Sequence, residues 1–168
     1  MKKFLVIIAI IVVILSLNKQ EKITIPKEVI RFRVIANSNE MIDQEEKKEV
    51  VKNLSTKLKN TKNLANIDET RKFMIESLPT FSSIVDKTLK ESNLNHSFHI
   101  NYGKNYFPPK EYNNIVFEEG EYESLVVTIG DGKGDNFWCI LFPPLCFIEE
   151  DDSIEYHSFI KEMIDKYF

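Results

Sequence analysis

Cys139 and Cys146 are the two cysteines of the chain, with Phe142-Pro143-Pro144 between them. A Pro-Pro pair can reverse the backbone, which would bring both sulfurs within bridging distance. The other state open to them is a pair of buried thiols acting as small hydrophobes. Zinc is not indicated, because no histidine stands at ligand spacing from either cysteine. A Cys–His nucleophilic pair built on Cys139 needs a free thiolate, which a disulfide would remove. His96 and His99 fall three apart on a predicted strand. They would face opposite sides of it and could not grip one metal. His157 lies on a predicted helix and reads as a surface residue.

Gly130-Asp131-Gly132-Lys133-Gly134-Asp135 invites a phosphate-loop reading. It lacks the Gly-x-x-x-x-Gly-Lys-Ser/Thr pattern and leads into a strand, so no helix dipole stands behind it. It also lacks the alternating oxygen ligands and distal glutamate of a calcium loop. A hairpin turn is the expectation. Neither Gly-x-Ser-x-Gly nor His-Glu-x-x-His occurs, and carboxylate runs of this kind are ordinarily solvated faces. These residues define no catalytic constellation, no cofactor site and no metal site.

The elements that would carry these residues follow from periodicity. Residues 29–36 alternate, with Ile30, Phe32 and Val34 on one face and Arg31 and Arg33 on the other, which predicts a half-buried strand. Asn37-Ser38-Asn39 breaks it and offers a helix cap. A helix is expected over 41–59, with Val51, Leu54 and Leu58 inward and Asp43/Lys47 an outer i,i+4 pair. Asn66 with Glu69 resembles a capping box that opens a second helix bearing Ile67, Met74, Ile75 and Leu78. Pro79 is expected to interrupt it, and Phe81, Ile84, Val85, Thr88 and Leu89 then mark a third helical stretch.

The second half changes period. Phe98, Ile100 and Tyr102 predict a strand, and Gly103 with Pro108-Pro109 a loop. Residues 115–117, 122–129 and 136–142 read as further strands, joined by turns at Glu119-Gly120 and at 130–135. A last helix over 153–167 presents Ile160, Met163, Ile164 and Tyr167, with acidic residues 149–152 complementing its dipole. The predicted architecture is α/β (α+β): a small mixed or antiparallel sheet with helices packed on one face.

Lys2-Lys3 precedes an unbroken apolar run over residues 4–17, FLVIIAIIVVILSL. A basic n-region before an apolar stretch of this length is the pattern of an export signal. Fourteen helical residues reach roughly 21 Å, short of the roughly 30 Å hydrocarbon core. No small-x-small cleavage site follows. Residues 1–17 are therefore expected to be a signal peptide or an uncleaved membrane anchor, 18–28 a polar linker, and 29–168 one globular domain. In an exported domain Cys139 and Cys146 are expected to be oxidised to a disulfide, worth roughly 2–3 kcal/mol in the chain-entropy account. With 22 Lys+Arg against 26 Asp+Glu, the chain carries a formal charge of −4 and no basic block. Phosphate neutralisation needs clustered cations, so nucleic acid is not an expected partner.

Three segments carry a family resemblance. One is Ile30-Arg31-Phe32-Arg33-Val34-Ile35-Ala36-Asn37-Ser38 with Asp43-Gln44 and Lys47. A second is Tyr102-Gly103-Lys104-Asn105-Tyr106-Phe107-Pro108. The third runs from Gly120-Glu121-Tyr122-Glu123-Ser124-Leu125 through residues 129–134 to Trp138-Cys139 and Phe142-Pro143-Pro144-Leu145-Cys146-Phe147. Together they resemble the stage II sporulation protein R family of endospore-forming bacteria. The chain departs from the family's usual pattern at Phe32-Arg33, Asn39 and Phe137. The resemblance implies a protein made in the forespore and exported into the space between the two septal membranes. There it would activate a membrane-embedded aspartic protease of the mother cell, which processes a sporulation sigma-factor precursor. It implies no catalytic residues and no cofactor.

On that reading Arg31, Arg33, Asn37, Ser38, Asp43 and Gln44 surround one strand-to-helix corner and are the candidate partner-binding residues. The plainer reading makes Asn37 and Ser38 helix caps and Asp43–Lys47 a surface pair. Trp138 is expected to pack against the disulfide. Two competing functions are an extracytoplasmic enzyme, such as a cell-wall hydrolase or Cys–His catalyst, and a passive envelope component.

Overall fold

The computed structural model describes residues 22–112, 114–147 and 153–168. The apolar run over 4–17 and the acidic residues 149–152 lie outside the described residues. Among those described, no helix is long and apolar enough to cross a membrane.

The chain runs β1 (Ile23–Thr24), β2 (Ile30–Ile35), α1 (Met41–Leu58), a 3-10 turn (Lys59–Asn63), α2 (Ile67–Ser92), β3 (Phe98–Phe107), β4 (Lys110–Tyr112), β5 (Ile115–Phe117), β6 (Gly120–Ile129), β7 (Asn136–Phe142), a second 3-10 turn (Leu145–Phe147) and α3 (Ser153–Tyr167). Four strands form a mixed sheet in the order β3-β6-β2-β7, and β1-β5-β4 form a smaller sheet. The strand β2 lies parallel to β6 and antiparallel to β7. As an inner strand it is covered on both faces, so the half-buried strand expected from Arg31 and Arg33 is corrected: Arg31 is as buried as its apolar neighbours.

One face of the sheet carries Ile30, Phe32 and Val34 of β2 with Leu125, Val127 and Ile129 of β6, all buried under α1 and α2. From α1 come Val50, Leu54 and Leu58, placing the inner stripe one residue before the expected Val51. The helix α2 contributes Met74, Phe81, Val85 and Leu89 and runs unbroken through Pro79, where two helices were expected. The residue four before Pro79 is Ile75, which is exposed, so water can reach the backbone on that side. A stripe continuous across the proline outweighs the roughly 3 kcal/mol that an interior proline costs. Asn66 caps this helix by accepting from the Glu69 amide at 2.9 Å, and Glu69 reaches back to the Ala65 amide at 2.9 Å. Asn93, at φ 60°, closes it in the left-handed conformation. Replacing Phe32, fully buried at the centre of this core, by Ala would cost about 3–5 kcal/mol.

The opposite face holds a second cluster, with Val29, Phe107, Ile115, Tyr122, Ile140, Leu145 and Ile160. With α1 and α2 packed on the first face, as expected, the small sheet and α3 cover part of the other. Residues 22–28, expected as linker, enter this layer: Ile23 pairs with Ile115 and Ile25 is buried. Strand β3 continues through Gly103, where a loop was expected, because its whole length pairs antiparallel with β6. The link from β6 to β7 is not a hairpin, since β2 lies between the two strands. The 130–135 loop instead crosses the end of β2.

Candidate functional site

That crossing builds the corner. Asn37 accepts the Asp131 amide on its Oδ1 at 3.0 Å, and its backbone carbonyl accepts the Lys133 amide at 3.0 Å. The Gly134 amide donates to the Ala36 carbonyl and the Asp135 amide to Asn39 Oδ1. Gly130 takes φ +53°, and a Cβ there would meet Asn37 Oδ1. The glycines that suggested a phosphate loop serve to let the loop lie flat on the strand-to-helix corner.

The corner's side chains bond to one another. Asp43 Oδ2 accepts from Asn37 Nδ2 at 2.8 Å and from the Ser38 hydroxyl at 2.6 Å. The Ser38 bond, with the Asn37 amide and the nearby His96 assisting and burial opposing, holds the Asp43 carboxyl below the ordinary aspartate range. Gln44 Nε2 donates to the Ser38 carbonyl at 2.8 Å, and Lys47 Nζ donates to Gln44 Oε1 and to the Asp135 carbonyl. Burial lowers the Lys47 pKa. Two expectations are corrected. Helix α1 starts from Glu40 without a side-chain cap, and Asp43 and Lys47 are buried in the corner rather than forming an outer pair. The pattern misleads because Ser38 and Asn37 turn toward the Asp43 side chain, leaving only the Glu40 amide to Ser38 Oγ. Met41 and Ile42 stand exposed on the first turn beside it.

Sequence reasoning missed the next layer. His96, in the loop before β3, places Nδ1 2.8 Å from Glu46 Oε2 and Nε2 3.8 Å from Asp43 Oδ1. Ser92 donates its hydroxyl to the other Glu46 oxygen. Asp43, Glu46 and His96 offer ligand atoms within 4.8 Å of one another and are the group among the described residues that could hold a metal ion. The His96–Glu46 and Ser92–Glu46 bonds tie α1 to the end of α2 and to the 93–97 loop. The i,i+3 spacing of Asp43 and Glu46 was the available signal, but their histidine partner lies fifty positions away. His99 is exposed and takes no part, and the side chain of His157 is not among those described.

On the other face, Arg31 is 2 % exposed and lies among four rings, with Cζ 4.1 Å from the Phe107 centroid, 4.7 Å from Tyr122, 5.1 Å from Phe117 and 5.4 Å from Trp138. Arg33 stacks on Trp138 at 4.6 Å. The two arginines therefore lie apart from the Asn37–Gln44 network, across the sheet, and Arg31 offers no open surface. Trp138 packs edge-on to Phe107 at 5.0 Å rather than against sulfur, because Cys139 points to the helical face. Cys139 and Cys146 are paired as a disulfide with Cα atoms 5.4 Å apart, spanning the turn after β7.

A mixed sheet whose polar corner is internally bonded, and whose cysteines are tied together, defines an α+β domain with a braced strand-to-helix junction. The family described as stage II sporulation protein R matches residues 26–152, and the chain belongs to it. The chain is 33 % identical over 150 residues to the stage II sporulation protein R of Bacillus subtilis (strain 168), an alignment that covers 89 % of this chain and 65 % of that protein. The chain thus spans just under two thirds of the length of the relative it matches. No solved structure matches it.

Proposed function

We propose that this protein is an exported signalling protein of sporulation. It activates a membrane-embedded aspartic protease, which then processes a sporulation sigma-factor precursor. The observation that carries the reading is the family match over residues 26–152, which takes in both faces of the main sheet. Residues 1–17 deliver the chain across the plasma membrane, into the space between the septal membranes, as a signal peptide or a retained anchor. The oxidised Cys139–Cys146 pair suits that compartment. It also leaves no thiol for a Cys–His catalyst, which counts against the enzymatic alternative.

Activation of this kind needs no chemistry in the activator. A ligand that binds the assembled, active form of the protease more tightly than the inactive form shifts its population by the ratio of the two affinities. The internally bonded corner supports such a role by holding Met41 and Ile42 in fixed positions beside it. Co-expression of this protein with the candidate protease and precursor in a non-sporulating host is the test. Precursor cleavage is expected with the intact chain and not when residues 1–17 are deleted. Cleavage that proceeds equally without this protein would overturn the reading.

A further inference from the structure

Arg31 Nε, Arg31 Nη1 and Arg33 Nε are buried and have no hydrogen-bond partner among the described residues. Among the described residues, no carboxylate forms an ion pair with either guanidinium. Burying an unpaired charge is costly, and folded proteins ordinarily pair it or bring it to water. Here burial, with Arg33 beside it, pushes the Arg31 pKa down to about 10, and the nearby Tyr122 phenol opposes the shift. Burial lowers Arg33 as well. The aromatic rings supply cation–π attraction, but among the described residues no oxygen or nitrogen acceptor reaches these three atoms.

The surroundings show where an acceptor would enter. The cross-strand row Gly103–Ser124–Arg31–Ile140 runs beneath the second core, and Ser124, Arg31 and Ile140 in it are buried. The next row, Asn101–Val126–Arg33–Trp138, is only partly buried along its whole width. Arg33 therefore stands at the open edge with Arg31 one row behind. Lys110 adds a third cation, its Nζ 5.5 Å from the Trp138 ring. Three positive groups thus converge on one indole in a chain whose formal charge is −4. A polyanion such as nucleic acid or an anionic bilayer would meet the repulsive field of the whole molecule. A single carboxylate would meet only this pit, and the planar guanidinium fork matches its geometry.

We propose that Arg33 and Trp138, with the buried Arg31 adding its charge from behind, form a receptor pit for one carboxylate on an acidic side chain of a partner protein. The proposal rests on the reading of this chain as a partner-binding protein. Its test involves no protease, so either can fail without the other.

Trp138 is the chain's single tryptophan and reports directly on the pit. The full chain in detergent is titrated with N-acetyl-Gly-Glu-Gly-amide, which carries one carboxylate, at constant ionic strength, with N-acetyl-Gly-Gln-Gly-amide and inorganic phosphate as controls. The glutamate peptide is expected to produce a saturable change in Trp138 fluorescence, and the glutamine peptide none. Arg33→Gln should weaken the apparent affinity at least about tenfold, as loss of a charge-assisted bond implies, while Arg33→Lys should restore part of it. Val126→Glu is a second variant, placing a carboxylate opposite Arg33 across the β2–β6 pair. It should abolish the response while far-UV circular dichroism stays native. No saturable signal, an equal response to the glutamine peptide or phosphate, or an unaltered response in folded Arg33→Gln or Val126→Glu would overturn the proposal.

Discussion

Gly134 lies against Ser38 so closely that a Cβ on it would sit 2.2 Å from the Ser38 carbonyl oxygen. The contact is backbone on backbone, fixed on one side by the Gly134 amide bond to Ala36 and on the other by Gln44 holding the Ser38 carbonyl. No side-chain rotation can relieve it. Gly134→Ala is therefore expected to destabilise the fold by about 1–3 kcal/mol through overpacking. Chemical denaturation checks this, and a midpoint equal to that of the unmodified chain would mean that the loop does not rest on the corner.

Asp43 gathers two charge-assisted bonds in a buried place. Asp43→Ala is expected to cost roughly 3 kcal/mol, in the range of such bonds. The sign of the pH effect follows from the lowered carboxyl pKa. The stabilisation is present above the ordinary aspartate value of 3.8 and is lost as pH falls through the lower folded value. Melting temperatures of the wild type and Asp43→Ala should accordingly converge on acidification below that value. A gap that is constant across this range would contradict the assignment.

Arg31 has no anionic partner among the described residues, so an apolar side chain of similar length should suit its site better. Arg31→Met is expected to raise stability by about 1–3 kcal/mol, as replacement of buried ionic groups by packed apolar ones does elsewhere. Differential scanning calorimetry measures it. A clear loss of stability would show that the four rings around the guanidinium compensate it fully.

The Cys139–Cys146 bridge closes a short loop at the end of β7. Replacing both cysteines by Ala should cost about 2 kcal/mol in the chain-entropy account, and reduction of the unmodified protein should move the unfolding midpoint by the same amount. A midpoint insensitive to reductant would mean that the thiols are free in solution.

Where neighbours in sequence are also neighbours in space, the sequence was a sufficient guide. The alternation in β2, the apolar steps from Phe81 to Leu89 and the Asn66–Glu69 cap each express a local geometry, and each appears in the structure. Pro79 and Gly103 misled because tertiary burial and strand pairing overrode their local preference. The pairing of His96 with Glu46, and the shielding of Arg31 by Phe107 and Tyr122, join residues fifty or more positions apart. No period in the sequence records such contacts. The candidate corner was legible as a place, from its run of polar residues between strand and helix, but its chemistry was not. Whether Asn37 and Ser38 meet solvent, a helix end or Asp43 depends on a loop that arrives almost a hundred residues later.

The position of β2 has a consequence for how the molecule is made. It is synthesised well before its neighbours β6 and β7, and Phe32 must await both Leu125 and Cys139. Contacts so distant along the chain form slowly, since each closes a long loop before any reward. A nascent chain stalled before Gly120 has no partner for β2, so assembly of the main sheet waits for β6 and β7, and a premature stop before β7 leaves aggregation-prone material rather than a smaller working protein.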